Sequence, residues 1–537
     1  MARRTVAQVI ARVCRRHGVK RVFGVPGGGS SLDLIRAFDE VGIPYVLART
    51  ETAAVIMAAA TAEATGTFGV AMTTQGPGTA SAANGMAQAS LDRSPVMLIS
   101  DGWTPKQSTF DTHQVFDQQA LMAPVAKAGT RLDRDDVAAE LETLVATMTS
   151  APWGPIYVEL TGEAARRVVE DDEAEPAAAA QRACDSAQLR AASDLLAKAR
   201  KPVILVGLEA RTPGAGDRIS ALATRIGAPI LPTYKAKGIV PDDHPNVVGL
   251  FTGGAAERDC VGAADLIILA GFDPVELIGR PWGYDAPVLD LGPVRHPVHY
   301  VEPAARVDGD LGTILDGLTT ATGGGGWAAG AFDVFRRGLA SRLAYRGAGQ
   351  GVSPEAVVRI AMDSAEGRDA RITVDAGAHM FSCMAFWPAR RQGDVLISNG
   401  LATMAFSLPA AIAMSLETPD RPVIAFTGDG GLMMCTGELS TAAQHGAKLC
   451  IVVFNDATLS LIAIKQQSRQ LPREGVDWPR PDFAAIARGF GLAGYNAGTS
   501  EEYRAALDAA LTRDGPSLID VGVDPSGYLD QSIALRG

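Results

Sequence analysis

Asp429 and Asp456 each close an apolar run: Asp429 ends VIAFTG before two more glycines, and Asp456 ends LCIVVFN. Both β-branched runs read as buried strands. The segment between them, LMMCTGELSTAAQHG, carries Leu432, Leu439, Ala442 and Ala443 at the spacing of one face of an amphipathic helix. A β-α-β unit makes its two strands parallel and close in the sheet. Both carboxylates then stand at the carboxyl edge, where open parallel sheets bind ligands. Two carboxylates and a nearby backbone carbonyl make a hard oxygen site for Mg²⁺ or Ca²⁺, and Mg²⁺ keeps positions for phosphate oxygens and water. Gly428, Gly430 and Gly431 let the backbone approach a phosphate at the helix start. Taken singly, Asp429 reads equally well as a helix N-cap and Asp456 as a turn residue; their pairing favours a metal diphosphate.

Elements that would position such a site recur along the chain. Short β-branched runs alternate with alanine-rich helical patterns, the pattern of parallel α/β sheets. The first block has strands near 21–25, 44–49, 68–74 and 95–100 and ends near 154–160. The acidic stretch VVEDDEAEPAAAAQRACD then reads as a linker. A second block contains KPVILVGLEA and DLIILAGFD, and TATGGGGWAAG is expected to be too glycine-rich for packed structure. The third contains RITVDAG, DVLISN, PVIAFTGDG, KLCIVVFND and PSLIDVGVD. The expected fold class is therefore α/β with three domains, 1–165, 190–322 and 350–537. Each is an open, mainly parallel sheet with helices on both faces. No short-period repeat is visible.

With 49 Lys and Arg against 60 Asp and Glu, the net charge of −11 argues against nucleic acid or an acidic membrane surface as partner. Six cysteines lack the close pairs of a zinc or redox site and read as small core residues. The arginines in MARRTVAQVIARVCRRHGV suit a transit peptide in isolation, but no cleavable apolar segment follows, so a first domain helix is the better reading. No apolar run is long enough for a membrane span, and a cytoplasmic location is expected.

The span GDGGLMMCTGELSTAAQHGAKLCIVVFND resembles the thiamine diphosphate motif, GDG followed a helix and a strand later by a pair of asparagines. That resemblance implies metal ligation by Asp429, the Asp456 side chain and the Thr458 carbonyl, with Leu459 and Ser460 beside the cofactor. Asp456 departs from the usual second asparagine and adds negative charge. NGLATMAFSLPAAIA (399–413) resembles the acetolactate synthase-like segment in which a methionine, here Met404, bends the cofactor and the Ala402 carbonyl contacts its aminopyrimidine. From composition Met404 would equally be a core filler. DAGAHMF offers Gly377, Ala378 and His379 to the diphosphate. In the first block Glu51 resembles the family glutamate that hydrogen-bonds the pyrimidine ring, with Thr50 where histidine is usual. TTQGPGTASAANG resembles the family's glycine-proline loop, offering Pro77 and Ser81, the latter where asparagine is common. FDTHQVFDQQALMAPVAKAG resembles the loop over the reacting carbon, offering His113 and Gln114.

The chain thus resembles the thiamine diphosphate-dependent enzymes that include acetolactate synthase, pyruvate decarboxylase and benzaldehyde lyase. The resemblance implies Mg²⁺, and a 2-oxo acid or 2-hydroxy ketone substrate undergoing decarboxylation, cleavage or carboligation. Glu51 is the expected proton-handling residue. The first and third domains would serve one cofactor from different subunits of a homodimer or homotetramer. A flavin-dependent oxidase resembling pyruvate oxidase is the alternative, but GFDPVELIGRPWG lacks the arginine-rich pattern of flavin-carrying relatives and GVPGGGSS lacks a P-loop lysine. FAD is therefore not expected. A non-catalytic paralogue would need only the third-domain residues, which makes Glu51 an argument for catalysis. Neither YKAKGIVPDDHP nor Lys465 in LSLIAIKQQSRQ assigns the substrate; Lys465 suits a substrate carboxylate or a solvated helix face.

Overall fold

In the computed structural model, which describes residues 2–171, 183–277, 279 and 281–536, strands Val423–Gly428 and Leu449–Asn455 lie parallel and adjacent, paired from Val423–Leu449 to Gly428–Phe454. They are the centre of a six-stranded sheet in the order Val395–Ile397, Arg371–Val374, Val423–Gly428, Leu449–Asn455, Ser517–Gly522, Ala493–Ala497, every pair parallel. The first sheet repeats that order with Tyr45–Leu47, Val22–Val25, Gly69–Thr73, Val96–Asp101, Ile156–Leu160 and Ala128–Arg131, again all parallel. In each, the chain turns back across its first strand, which creates a switch point at the carboxyl edge. The middle sheet has five parallel strands, Ile230–Pro232, Pro202–Val206, Leu266–Ala270, Val288–Gly292 and Ala305–Asp308.

Alternation along the strands feeds separate cores on the two sheet faces. Val70 and Met72 join one cluster while Ala71 joins another, and Ile424 and Phe426 part from Val423 and Ala425 in the same way. One cluster is common to the first and third domains, and its centre is helix Glu51–Thr65 against helix Ser407–Glu417. Both helices are apolar nearly all round: Ala53–Ala62 and Ser407–Ser415 are buried without a break. A helix with no polar face must be enclosed, here between two domains, and the alanines let the two backbones approach closely. Lys235 of the middle domain ties all three together, donating to both Glu63 oxygens at 2.8 and 2.7 Å and to the Ile397 carbonyl at 3.0 Å.

Several local expectations change. The predicted single helix after Asp429 is two, Asp429–Cys435 and Glu438–Gln444, interrupted at Thr436 and Gly437. The acidic stretch read as a linker begins with strand Val168–Asp171, antiparallel to Ala2–Thr5; its residues 172–182 lie outside the described residues. The glycine run is packed after all. A Cβ on Gly324 would sit 1.7 Å from the Ile226 carbonyl, so glycine is what permits that backbone approach, and Trp327 Nε1 donates to Pro202 O at 3.0 Å. Ile278 and Arg280 of GFDPVELIGRPWG lie outside the described residues. The cysteines are unpaired, five buried and Cys184 half-buried; burial pushes the Cys14 and Cys450 thiols up to about 12. Among the described residues no helix is long and apolar enough to cross a membrane.

Candidate active site

Asp429 opens its helix with Gly428 in extended conformation before it (φ −79°, ψ 159°). Its carboxylate is buried and accepts the Gly430 and Ala457 N–H groups, both at 2.7 Å. The second of these bonds holds the end of the neighbouring strand, so the two strand ends are stitched together. Burial and then the Asp456 charge push Asp429 up to about 7; burial pushes Asp456 up to about 6, although Ser460 Oγ donates to it. Two carboxylates at one sheet edge, the charge of Asp456 adding to the proton affinity of Asp429, form an arrangement that a cation would stabilise. Thr458 is also buried here. The bridge pairing it with Asp477 uses Leu459 N–H and the Ala457 carbonyl, not the Thr458 carbonyl.

Glycines keep this edge open. A Cβ on Gly430 would meet Leu459, Trp478 and Met404 Cε at 3.1, 3.2 and 3.4 Å, so Met404 and Leu459 converge on the turn that carries Asp429. Cβ atoms on Gly377 and Gly428 would meet the His379 ring at 2.6 and 3.3 Å. His379, beside buried Ala378, stacks on Phe454 at 5.1 Å; burial pushes it down to about 3, and its solvent-sealed Nε2 has no hydrogen-bond partner. It is a neutral ring near pH 7. A Cβ on Gly431 would collide with Asp375. Ala402 and Ala457 adopt left-handed φ values of 52° and 57°, strain that such residues keep only where surrounding structure enforces it.

The first domain builds its own half. Glu51 begins its helix behind Thr50, whose hydroxyl accepts Ala53 N–H at 3.1 Å; that N-cap duty explains a threonine in this place. Glu51 Oε1 lies 3.2 Å from where a Cβ on Gly78 would be, and its charge reaches the unpartnered Tyr45 hydroxyl. Gly76, at φ 64°, precedes Pro77 at the start of helix Pro77–Leu91, and its missing side chain admits the Gln114 backbone, which would lie 2.7 Å from a Cβ. Gln114 is itself left-handed at φ 64°, and with His113 it lies on an exposed loop. Ser81 is exposed and its carbonyl accepts the Thr52 hydroxyl. Glu51, Pro77 and Gln114 thus gather around one turn of the first domain, while Gly377, His379, Met404, Asp429, Asp456 and Thr458 gather at the third. Lys465 is exposed on helix Ser460–Ser468, which buries no residue.

Three further residues shape these halves. Asp375, at the end of Arg371–Val374, accepts Ala405 N–H at 3.1 Å, Phe406 N–H at 3.2 Å and Thr427 Oγ1 at 2.9 Å, and so fixes the turn that carries Met404. An aspartate ending an apolar strand was the signal, the same one that marks Asp429. Glu438 accepts the N–H groups of Arg49 and Thr50 at 2.8 and 3.1 Å, so the third domain clamps the start of the Glu51 helix. Trp478 walls the Met404 side with a buried, unpartnered Nε1. No local pattern announces the last two. A cleft of about 1010 Å³ lies elsewhere, between the first and middle domains, lined by Arg93, Trp153, Glu209 and Arg211 among others.

Comparison with known proteins agrees with this division. Residues 4–121 match the N-terminal TPP binding domain of thiamine pyrophosphate enzymes, 189–316 their central domain and 375–521 their C-terminal TPP binding domain. The chain is 25% identical to an acetolactate synthase of Bacillus subtilis, covering 98% of this chain and 94% of that relative. It is 29% identical to the catabolic acetolactate synthase of Raoultella terrigena (96% and 95%) and 28% identical to a probable 2-ketoarginine decarboxylase of Pseudomonas aeruginosa (96% and 94%). With all three domains matched in order, the chain belongs to the thiamine pyrophosphate enzyme family, among its acetolactate synthase-like members.

Proposed function

We propose that this enzyme uses thiamine diphosphate and Mg²⁺ to cleave or form the carbon–carbon bond next to a carbonyl, acting on a 2-oxo acid or 2-hydroxy ketone as a decarboxylase or carboligase. The observation that carries the reading is the pair of carboxylates at adjoining strand ends, buried Asp429 and half-buried Asp456, each with its proton affinity raised. The relatives' names, acetolactate synthase and 2-ketoarginine decarboxylase, support both reaction directions. Two half-sites, each built within its own domain, support a homodimer or homotetramer in which Glu51 of one subunit serves the third domain of another.

When bound, thiamine diphosphate supplies the electron sink for the bond change. Asp429, Asp456 and the Thr458 carbonyl would hold the Mg²⁺, an all-oxygen set suited to that ion. Gly377, Gly428 and Gly430 leave the room a diphosphate needs, since each lacks a side chain that would strike His379, Met404 or Leu459. Glu51 would offer its carboxyl to the pyrimidine ring as the hydrogen-bonding and proton-handling group. Met404 presents its thioether, and Leu459 and Trp478 keep water from the reacting face. His113 and Gln114 orient the substrate. Incubation with cofactor, Mg²⁺ and a panel of 2-oxo acids, read as carbon dioxide release and products by mass spectrometry, should give turnover that needs both additions. Cofactor binding without turnover of any 2-oxo acid or 2-hydroxy ketone overturns the reading.

The flavin oxidase alternative meets a charge obstacle. Glu209 and Asp273 stand at the carboxyl edge of the middle sheet, where a dinucleotide's phosphates would meet their carboxylates. A flavin absorption band in the purified protein would reverse that preference.

A further inference from the structure

We propose that Glu209, Asp273 and His296 form a second metal site, for a divalent cation of the zinc class, at the joint between the first and middle domains. Three neighbouring parallel strands deliver these residues to one edge. Glu209 lies on the turn Leu208–Ala210 that follows Pro202–Val206, Asp273 follows Leu266–Ala270, and His296 lies in the loop after Val288–Gly292. One ligand atom from each lies within 4.8 Å of the others. The side chains of Glu209, Asp273 and His296 are 6%, 1% and 8% exposed, so an imidazole and two carboxylates share a nearly dry space.

The facing atoms of His296 and Glu209 make an ion-pair contact that is poorly aimed for a hydrogen bond. His296 Nε2 and Glu209 Oε1 are 3.2 Å apart, yet both are sealed from solvent without a hydrogen bond of acceptable direction. Two ligands about 2.0–2.1 Å from one tetrahedral ion stand about 3.3 Å apart and off line in this way. The other charges nearby are already engaged. Arg93 Nε of the first domain donates to Asp273 Oδ2 at 2.6 Å, Val275 N–H donates to Asp273 Oδ1 at 3.0 Å, and Arg306 pairs with Asp290. Glu209 faces His296 Nε2 within reach of the charges of Asp273 and Arg93, and Asp273 Oδ1 lies 3.8 Å from the ring's other nitrogen, Nδ1, with one ligand atom of each residue still inside the 4.8 Å cluster. One imidazole nitrogen with carboxylate oxygens suits zinc-class ions, whereas the all-oxygen set at Asp429 and Asp456 suits Mg²⁺. Glu209 also lines the 1010 Å³ cleft, which supplies an access path. Through Asp273 and Arg93 an ion here would brace the first domain against the middle one.

Chelator-treated full-length enzyme, saturated with thiamine diphosphate and Mg²⁺, is titrated with Zn²⁺ and assayed for bound metal by plasma mass spectrometry. One zinc per chain is expected, with a higher melting midpoint. Co²⁺ in its place should give the visible bands of a tetrahedral ion. His296→Ala and Glu209→Gln should lose the zinc while keeping cofactor-dependent turnover, and Asp429→Asn should keep the zinc. An anomalous zinc peak between these side chains in wild-type crystals decides the matter even where a variant misfolds. Zinc uptake that is absent, that is unchanged in both middle-domain variants, or that disappears with Asp429→Asn overturns the site. So does a protonated His296 ring at neutral pH, seen by NMR, that zinc leaves undisturbed; the cluster is then a charge-paired imidazolium.

Discussion

Asp429, pushed up to about 7, and Asp456, pushed up to about 6, make cofactor-free stability depend on pH. A carboxyl whose folded-state pKa exceeds its unfolded value contributes stability that is present at low pH. That contribution is lost as pH rises from about 4 through about 7. Mg²⁺ needs the ionised pair and displaces its protons. Its stabilisation should therefore be absent near pH 5 and grow toward pH 8, as scanning calorimetry with and without the ion would show. Asp429→Asn should raise the cofactor-free stability by about 1–3 kcal/mol at pH 8 and abolish the Mg²⁺ response. Glu51→Gln should cut kcat/KM by roughly 10²–10⁴-fold with little change in cofactor affinity, measured by turnover and calorimetry; full activity would remove Glu51 from proton handling. The two aspartates were legible because each ends an apolar run. The role proposed for Glu51 comes from resemblance alone, since an acidic residue at a helix start is ordinary. Glu438 and Trp478 act through contacts far away in sequence, which no local pattern encodes.

The turn carrying Met404 depends on Asp375, whose carboxylate ties Ala405 and Phe406 to the strand end. Asp375→Ala leaves those buried N–H groups unsatisfied, at a cost of about 1–3 kcal/mol. The expected outcome is a lower melting midpoint together with weaker thiamine diphosphate binding by calorimetry; a change in stability alone would mean that the turn holds its shape without this anchor. Central strands such as Val423–Gly428 were readable because burial on both faces demands a continuous apolar run. Ala128–Arg131, Ala305–Asp308 and Ala493–Ala497 were not, because edge strands with polar or small residues need no such run. The break at Gly437 escaped because Leu432, Leu439 and Ala442 keep helical spacing across it, and all three are buried.

Across the molecule, the first and third sheets share one strand order, and each carries half of the proposed cofactor site beyond its strands. Mixing Glu51→Gln and Asp429→Asn chains should restore activity, to about a quarter of wild type for random pairing, because one of two sites in a mixed dimer is intact. No recovery in verified mixed dimers would place both halves in one subunit. The alternation of strands and helices made three parallel domains legible from sequence. The tie of Lys235 to Glu63 and Ile397 was not, because a buried lysine is recognisable only once its partners are in place.

Glu438 adds a consequence for coupling. It follows Asp429 by little more than two helical turns and grips the amides just ahead of Glu51 in its own chain. In the shared-site dimer proposed above, Asp429 and Glu51 of one chain would serve opposite reaction centres. A shift of the Asp429 turn that carried the Glu438 helix with it would therefore be felt at the backbone just ahead of the other centre's Glu51.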